Sequence, residues 1–338
     1  MKVTVLSAGT WGISLAALLH GKGEAVRVWE FDPEVVRVLR ETRRHPRLKA
    51  LDVPEAILPT NDLEEALAGS EVIVCAVPAA NLRETARRTV QAGYHGQLFV
   101  ICSKGIEKGT HHLPHEVAAQ ELGHAGRERI VLLSGPSHAE EVSRNLPTAV
   151  TVAGATLETA ETVQALFMTP RFRVYTQTDM VGVELGAALK NVIAIACGIS
   201  DGLGFGDNAK AGLITRGLSE ILRLGIAMGA RLETFIGLAG VGDLVVTCMS
   251  RHSRNWQFGS LVGQGRSPEA ALEAVGMVVE GYHTVVAAVE LAQIWKVEMP
   301  ITKAVAAVLF DGMTAMEAVS DLMLRDARSE NPDAVENP

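Results

Sequence analysis

The chain is predicted to be an α/β domain built on a parallel sheet, followed by an all-helical domain. Three observations predict it. The first half alternates short Val/Ile/Leu runs with amphipathic segments, the pattern of βαβ units whose sheet is covered on both faces. A glycine-bearing turn joins the first run to the first amphipathic segment. Beyond residue 178 the β-branched runs give way to Ala, Leu, Gly and Glu at helical spacing. A length of 338 residues suits two domains, and the division is drawn at 1–180 and 181–328. The polar, proline-containing stretch 329–338 is expected to be a disordered tail.

The elements follow in order. Strands are expected at residues 3–6, 25–29, 71–77, 97–102, 130–133, 148–152 and 172–175. Helices are expected between them at 13–20, 33–44, 62–68 and 81–91. Asp32 before Pro33 reads as an N-cap with proline at the first helical position. Asn61 ahead of Asp62, Glu64 and Glu65 reads as another helix start, with acids at the positive end of the dipole. In the second half the helical pattern runs through 181–197, 209–228, 233–237, 267–275, 285–295 and 301–310.

Composition narrows the function classes. Apolar residues make up 48%, enough for sizeable cores and too many for a disordered chain. Aromatics are 4% and the net charge is −8, from 39 acids and 31 bases, which argues against nucleic-acid binding. A local basic patch still suits a phosphorylated small molecule. Cys75, Cys102, Cys197 and Cys248 fit neither zinc-ligand nor disulfide spacing. His111, His112 and His115 invite a metal reading, but an exposed helix start is the reading taken, and no metal is expected. The most apolar stretch, 181–200, contains Glu184 and Lys190, which argues against a membrane span. The first residues show no signal-peptide pattern, so the expected setting is cytoplasmic.

The turn at residues 7–12 matches G-x-G-x-x-G, except that Ser7 replaces the first glycine. Gly9 would let backbone approach a pyrophosphate, Gly12 would let the helix pack on the strand, and the helix N-terminus would meet the anion. Glu30, 18 residues after Gly12 and at the end of the second strand, suits the hydroxyls of an adenosine ribose. This is a Rossmann-type dinucleotide site; an ordinary strand-turn-helix with a solvated Glu30 is the alternative. Glu30 favours NAD, because a 2′-phosphate would be repelled. The basic run Arg37, Arg40, Arg43, Arg44, Arg47 and Lys49 offers either a phosphate contact or a solvated helix face, which leaves NAD against NADP open.

Longer motifs carry a resemblance. They are Ser103 to Glu107, Leu133 to Glu141, Gly182 to Ala196, Asp201 to Gly204, Asn208 to Lys210, Thr215 to Gly217, Gly240 to Leu244, Ser253 to Asn255, and Val278 to Gly281. In this order the chain resembles the bacterial NAD(P)-dependent sn-glycerol-3-phosphate dehydrogenases from residue 3 to about 325. The resemblance implies reduction of dihydroxyacetone phosphate to sn-glycerol 3-phosphate with NAD(P)H, at the entry to glycerophospholipid synthesis. It also implies a cytoplasmic homodimer. Three departures stand out. Ser7 replaces a usual glycine, His138 replaces a usual phenylalanine, and residues 45–54 lack the usual Asn and Tyr-Leu-Pro pattern.

Ketone reduction needs a hydride donor at the carbonyl carbon, a proton donor at its oxygen and cations for the phosphate. Lys190, interrupting an apolar helix, is read as the proton donor, since burial or a neighbouring cation lowers a lysine pKa towards working pH. A lysine snorkelling to the surface is the alternative. Lys104, after a strand at the sheet's carboxyl edge, is read as the second cation. Asp243 is read as orienting Lys190 or bonding a substrate hydroxyl, or else as a helix cap. Arg254 and Asn255 are the phosphate candidates, with Ser253 and Thr247 as further donors. The resemblance adds Gly135, Ser137 and Asn191 as substrate contacts. It places Gly9, Thr10, Trp11, Gly12, Glu30, Phe31, Lys104, Ala139, Arg254, Val278 and Glu280 on the cofactor.

Two other classes compete. One is a related two-domain dehydrogenase of the 6-phosphogluconate or 3-hydroxyacid type, opposed by Lys190 with Asn191 and by Ser253 to Asn255. The other is a silent dinucleotide sensor, opposed by the joint presence of Lys104, Lys190 and Asp243.

Overall fold

The structure is a computed structural model that describes residues 1–124, 126–327 and 329–330. Most of the tail expected at 329–338 therefore lies outside the described residues. The strands are β1 (Lys2–Leu6), β2 (Ala25–Trp29), β3 (Leu58–Thr60), β4 (Val72–Cys75), β5 (Leu98–Ile101), β6 (Ile130–Ser134), β7 (Thr148–Gly154) and β8 (Phe172–Gln177). Helices α1 (Thr10–Gly21), α2 (Pro33–Thr42), α3 (Leu63–Leu67), α4 (Leu82–Gln91), α5 (Pro114–Leu122), α6 (Ala139–Val142) and α7 (Leu157–Phe167) lie among them. Then come α8 (Met180–Gly202), α9 (Asp207–Ala227), α10 (Leu232–Phe235), α11 (Asp243–Met249), α12 (Arg254–Gly263), α13 (Pro268–Val275), α14 (Glu280–Ile294), α15 (Pro300–Phe310) and α16 (Ala315–Met323). A π-turn, Leu238–Gly242, leads into α11.

The eight strands form one sheet in the order β3-β2-β1-β4-β5-β6-β7-β8. The order reverses next to β1, and at such a switch point the loops leaving the carboxyl ends of the strands part to form a crevice. Strands β4, β5 and β6 are buried throughout, as their unbroken apolar runs require. The sheet is not wholly parallel, however: β7 runs antiparallel to β6, pairing Leu133 with Val152. Residue composition does not carry strand direction, so the run alone could not reveal this. The three-residue β3 also escaped the sequence reading. It pairs Arg27 with Leu58 at the sheet edge and contains Pro59, which an edge strand tolerates.

Helix caps follow the side chains. Asp32 accepts from the Glu34 N–H at 2.9 Å. The cap of α3 is Asp62 rather than Asn61, its carboxylate accepting from the Glu65 N–H at 3.1 Å. Helices α5, α6, α7, α11, α12 and α16 lie outside the expected ranges, and α14 begins five residues before the expected 285. Their first turns hold polar or glycine residues that interrupt the apolar spacing.

The second core is built round α8, every residue of which from Gly182 to Ser200 is buried. Two helical stretches, Met180–Gly202 and Leu232–Met249, are long and apolar enough to cross a membrane. The first is the core helix of this second half. Its amino end also reaches the sheet, where Val183 packs in the cluster of Ile101, Leu132 and Ala153. That contact sets α8, with Lys190 near its middle, against the carboxyl edge of the strands.

Candidate active site

Three charged side chains from three places in the chain meet in the crevice. Lys190 comes from α8, Asp243 from the first turn of α11 and Lys104 from the loop after β5. The Lys190 Nζ donates to Asp243 Oδ1 at 2.7 Å and to the Thr247 hydroxyl at 2.6 Å. Lys104 Nζ donates to the other carboxylate oxygen, Oδ2, at 2.7 Å. It also lies 3.4 Å from the Gly135 carbonyl. One carboxylate therefore bridges two ammonium groups. Each ammonium has three N–H donors, so each retains one for a ligand.

The electrostatics follow from burial. Lys190 is 5% exposed, and burial lowers its pKa to about 8, with Lys104 pushing the same way and Asp243 opposing. Burial works against the Asp243 carboxylate too, but the charges of Lys104 and Lys190 hold its pKa below the usual carboxylate range.

Thr247 departs from the expected role of phosphate donor. Its hydroxyl donates to the Asp243 carbonyl at 2.6 Å while accepting from Lys190, so it braces the lysine. Asn191 and Asn255 also brace. The Asn255 amide donates to Asn191 Oδ1 at 2.9 Å, and its oxygen accepts from the Gly281 N–H at 2.9 Å. That pair ties α8, α12 and α14 together.

Ser253 caps α12, its hydroxyl accepting from the Trp256 N–H at 3.2 Å. Arg254 follows at the first helical position, where the dipole favours an anion. Among the described residues its guanidinium has no hydrogen-bond or ion-pair partner within bonding distance. Burial lowers its pKa, Arg47 adds to that, and Glu280 and Glu140 oppose it. Burial in turn raises the Glu280 pKa to about 7, against the Arg254 charge and an Ala79 backbone contact.

The glycine turn has the shape a dinucleotide needs. Ser7 has φ +96°, a region that favours glycine, so the replacement noted in the sequence is a strained residue. A Cβ on Gly12 would come within 2.0 Å of the Ser7 carbonyl, so only glycine fits there. Helix α1 has no side-chain cap, which leaves first-turn N–H groups for an anion. Glu30 accepts from the Ala8 N–H at 2.7 Å and the Asp32 N–H at 3.3 Å, which fixes its carboxylate beside the turn. Phe31 is 69% exposed next to it, with Arg88 stacked against its ring and that of Trp29. These groups fit a dinucleotide with its pyrophosphate on α1.

The basic run is largely engaged elsewhere. Arg37 pairs with Glu34 and Glu41, and Arg44 with Asp52. Arg40 and Arg43 donate to the carbonyls of Pro59 and Ile57 at 2.7 and 2.9 Å. Arg47 reaches across to the second half, donating to the Gly276 carbonyl at 3.1 Å. Sequence reasoning missed this strap, because nothing local links residues 229 apart.

Other site residues fall nearby or play structural parts. Gly135 has φ +132°, and the Ser137 hydroxyl donates back to its carbonyl at 3.0 Å. The Ala139 carbonyl accepts from Ser14 on α1 at 3.1 Å, and Val278 is exposed on the segment leading to Glu280. The three clustered histidines do stand at the start of α5, but they are half-buried rather than exposed. His115 bonds the buried Glu184 at 2.5 Å, His111 bonds Glu290 at 2.7 Å, and His112 lies 3.6 Å from Glu116. Each ring is turned to a different carboxylate.

Two family models divide the chain between them. The N-terminus of NAD-dependent glycerol-3-phosphate dehydrogenase matches residues 2–160, and its C-terminus matches residues 179–320. The chain belongs to the NAD-dependent glycerol-3-phosphate dehydrogenase family. It is 50% identical over 333 residues to the NAD(P)+ glycerol-3-phosphate dehydrogenase of Geobacillus thermodenitrificans, covering 98% of this chain and 97% of that one. The enzyme of that name from a Thermoanaerobacter species is 47% identical over 330 residues, covering 98% and 99%. Among solved structures, the glycerol-3-phosphate dehydrogenase of Coxiella burnetii superposes with a TM-score of 0.91 at 38% identity, covering 96% and 99%. The chain is thus an NAD(P)-dependent oxidoreductase with a Rossmann-type sheet domain and a helical partner.

Proposed function

We propose that this enzyme reduces dihydroxyacetone phosphate to sn-glycerol 3-phosphate, with Lys190 as the proton donor. The observation that carries the reading is the bridge from Lys190 through Asp243 to Lys104. Two cations on one carboxylate suit a carbonyl oxygen that gains negative charge as it is reduced. Bound NAD(P)H supplies the hydride. Lys190 gives its proton to that oxygen, and Asp243 and Thr247 hold the ammonium in place. Lys104 polarises the carbonyl with its remaining N–H. Arg254, at the head of α12, holds the phosphate together with Ser253 and the free N–H of Asn255. Gly135 and Ser137 complete the substrate side.

Gly9, Thr10, Trp11 and Gly12 would hold the pyrophosphate of the dinucleotide, Glu30 would meet its adenosine ribose and Phe31 its base. Ala139, Val278 and Glu280 would line its nicotinamide end. The preferred cofactor is NADH: Glu30 would repel a 2′-phosphate, and Arg37, Arg40, Arg43 and Arg44 already have partners. The working division is residues 1–180 for the dinucleotide and 181–328 for substrate and proton transfer. The enzyme works in the cytoplasm at the entry to glycerophospholipid synthesis. It acts as a homodimer, and a groove of about 1140 Å³ walled by Leu213, Val305, Val308 and Leu322 supports an association surface away from Lys190.

Initial rates with dihydroxyacetone phosphate decide the reading. Oxidation of NADH, faster than that of NADPH, is the expected result. No turnover with either cofactor overturns the function, and faster turnover with NADPH overturns the cofactor choice.

A further inference from the structure

The segment that carries Lys104 runs from the end of β5 to the start of α5. Ile106 and Leu113 within it are buried in the helical core, although the chain here belongs to the sheet half. A Cβ on Gly105 would come within 2.8 Å of the Ala79 side chain, and Thr284 and Glu280 of α14 stand 3.6 and 3.7 Å from the same point. Glu107 keeps the segment on its own half, accepting from Arg83 of α4 at 2.8 and 2.7 Å. Two histidines reach across to the other half. His111 Nε2 lies 2.7 Å from Glu290 on α14. His115, in the first turn of α5, donates its backbone N–H to Glu184 Oε1 at 2.7 Å, and its ring Nδ1 lies 2.5 Å from Glu184 Oε2.

Glu184 is buried on α8, six residues before Lys190 and about 9 Å from it along the helix. A carboxylate so enclosed needs a partner. Burial raises its pKa, against the charge and hydrogen bonds of His115, and Glu116 adds to the rise. Burial lowers the His115 pKa, but the charge and hydrogen bond of Glu184, with Glu116 adding, leave it raised above 6.5. The ring Nδ1 is therefore the donor, and a charged ring strengthens the bond. The other charges near the segment are engaged. Glu107 and Glu121 pair with Arg83, Glu121 also with Arg87, and Glu116 faces the His112 ring at 3.6 Å. The His111–Glu290 pair is more open to solvent, so it holds less firmly.

We propose that His115 is a positioning residue: its bond to Glu184 fixes the Lys104 segment to α8 and so sets Lys104 and Lys190 in register on Asp243. This rests on the roles given above to the two lysines. They come from different halves, yet each must reach one oxygen of the same carboxylate. Burial of Ile106 and Leu113 presses the segment onto the helical core, but such contacts are non-directional. The two bonds to Glu184 fix the height of the segment along α8. The charged bond is complete below pH 6.5 and is lost as pH rises through the raised value of His115.

The double variant His115→Gln with Glu184→Gln tests it, since it removes both charges and leaves no buried carboxylate without a partner. With dihydroxyacetone phosphate and saturating NADH, its kcat should fall about tenfold. NADH affinity, titrated by fluorescence, should stay within about twofold of the parent. In a Lys104→Met background the same two changes should cost less than about twofold, because the positioned group is already gone. Equal losses in the two backgrounds overturn the proposal, as does an unchanged kcat. Thermal unfolding reads the bond without turnover. The Tm of the parent minus that of the double variant should be larger at pH 6 than at pH 9, and a difference independent of pH overturns the charged bond. A parent that does not turn over dihydroxyacetone phosphate overturns the substrate reading and the positioning role with it. The Tm difference still decides the His115–Glu184 bond, which keeps the two failures apart.

Discussion

Asp243 accepts Lys190 on one carboxylate oxygen and Lys104 on the other, each at 2.7 Å. The arrangement keeps two like charges close together in a buried place, and it divides the work between them. Lys190 is enclosed and titrates near 8; Lys104 is partly open and keeps its Gly135 contact.

Lys190→Ala should abolish turnover and leave NADH affinity nearly unchanged, because the role proposed for the side chain is at the carbonyl oxygen and not at the nucleotide. Single-turnover rates and NADH titration check this. A variant that keeps more than about a tenth of the parent rate removes Lys190 from proton transfer.

The pH profile carries a sign. The lysine pKa is lowered to about 8, so the ammonium needed for ketone reduction is present below that value and is lost as pH rises through it. Reduction should fall above pH 8, while oxidation of glycerol 3-phosphate should rise through the same region. Asp243→Asn removes the group that opposes the lowering, so the alkaline limb should move to lower pH and the rate should drop about a hundredfold. An unmoved limb in that variant would separate Asp243 from the titration.

Arg254→Ala should raise the KM for dihydroxyacetone phosphate at least about tenfold, since the proposed guanidinium–phosphate contact would be lost. Glu280, raised to about 7, is charged above that value and neutral below it. Binding of the anionic cofactor should therefore weaken as pH rises through 7. Glu280→Gln should flatten that dependence, which NADH titration at pH 6 and pH 8 measures.

Ser7→Gly should stabilise the protein by about 1 kcal/mol, the strain of a serine held at positive φ. Thermal unfolding reads it as a raised Tm. A lower Tm would mean that the serine hydroxyl, which accepts the Gly9 N–H at 3.2 Å, outweighs the backbone strain.

Glu30→Ala should narrow the preference for NADH over NADPH, by removing the charge that opposes a 2′-phosphate. The ratio of kcat/KM values for the two cofactors is the measurement, and an unchanged ratio would place discrimination elsewhere.

The sequence by itself determined the alternation of strands and helices, the change to an all-helical second half, the nucleotide turn and the identity of the charged side chains that meet in the crevice. These features have short-range signatures: apolar periodicity, caps, glycine at a tight turn, and a lysine in an apolar helix. It did not determine that β7 runs antiparallel, because direction along a strand leaves no mark on its composition. Nor did it show that Thr247 and Asn255 brace neighbours, that Arg47 straps the nucleotide half to Gly276, or that His115 meets Glu184. Those are contacts between residues far apart in the chain, and only packing of the sheet against α8 and α12 sets them. The same packing decided the chemistry of Lys190. Its identity was legible in the sequence, but its pKa near 8 depends on burial and on the two charged groups brought to it.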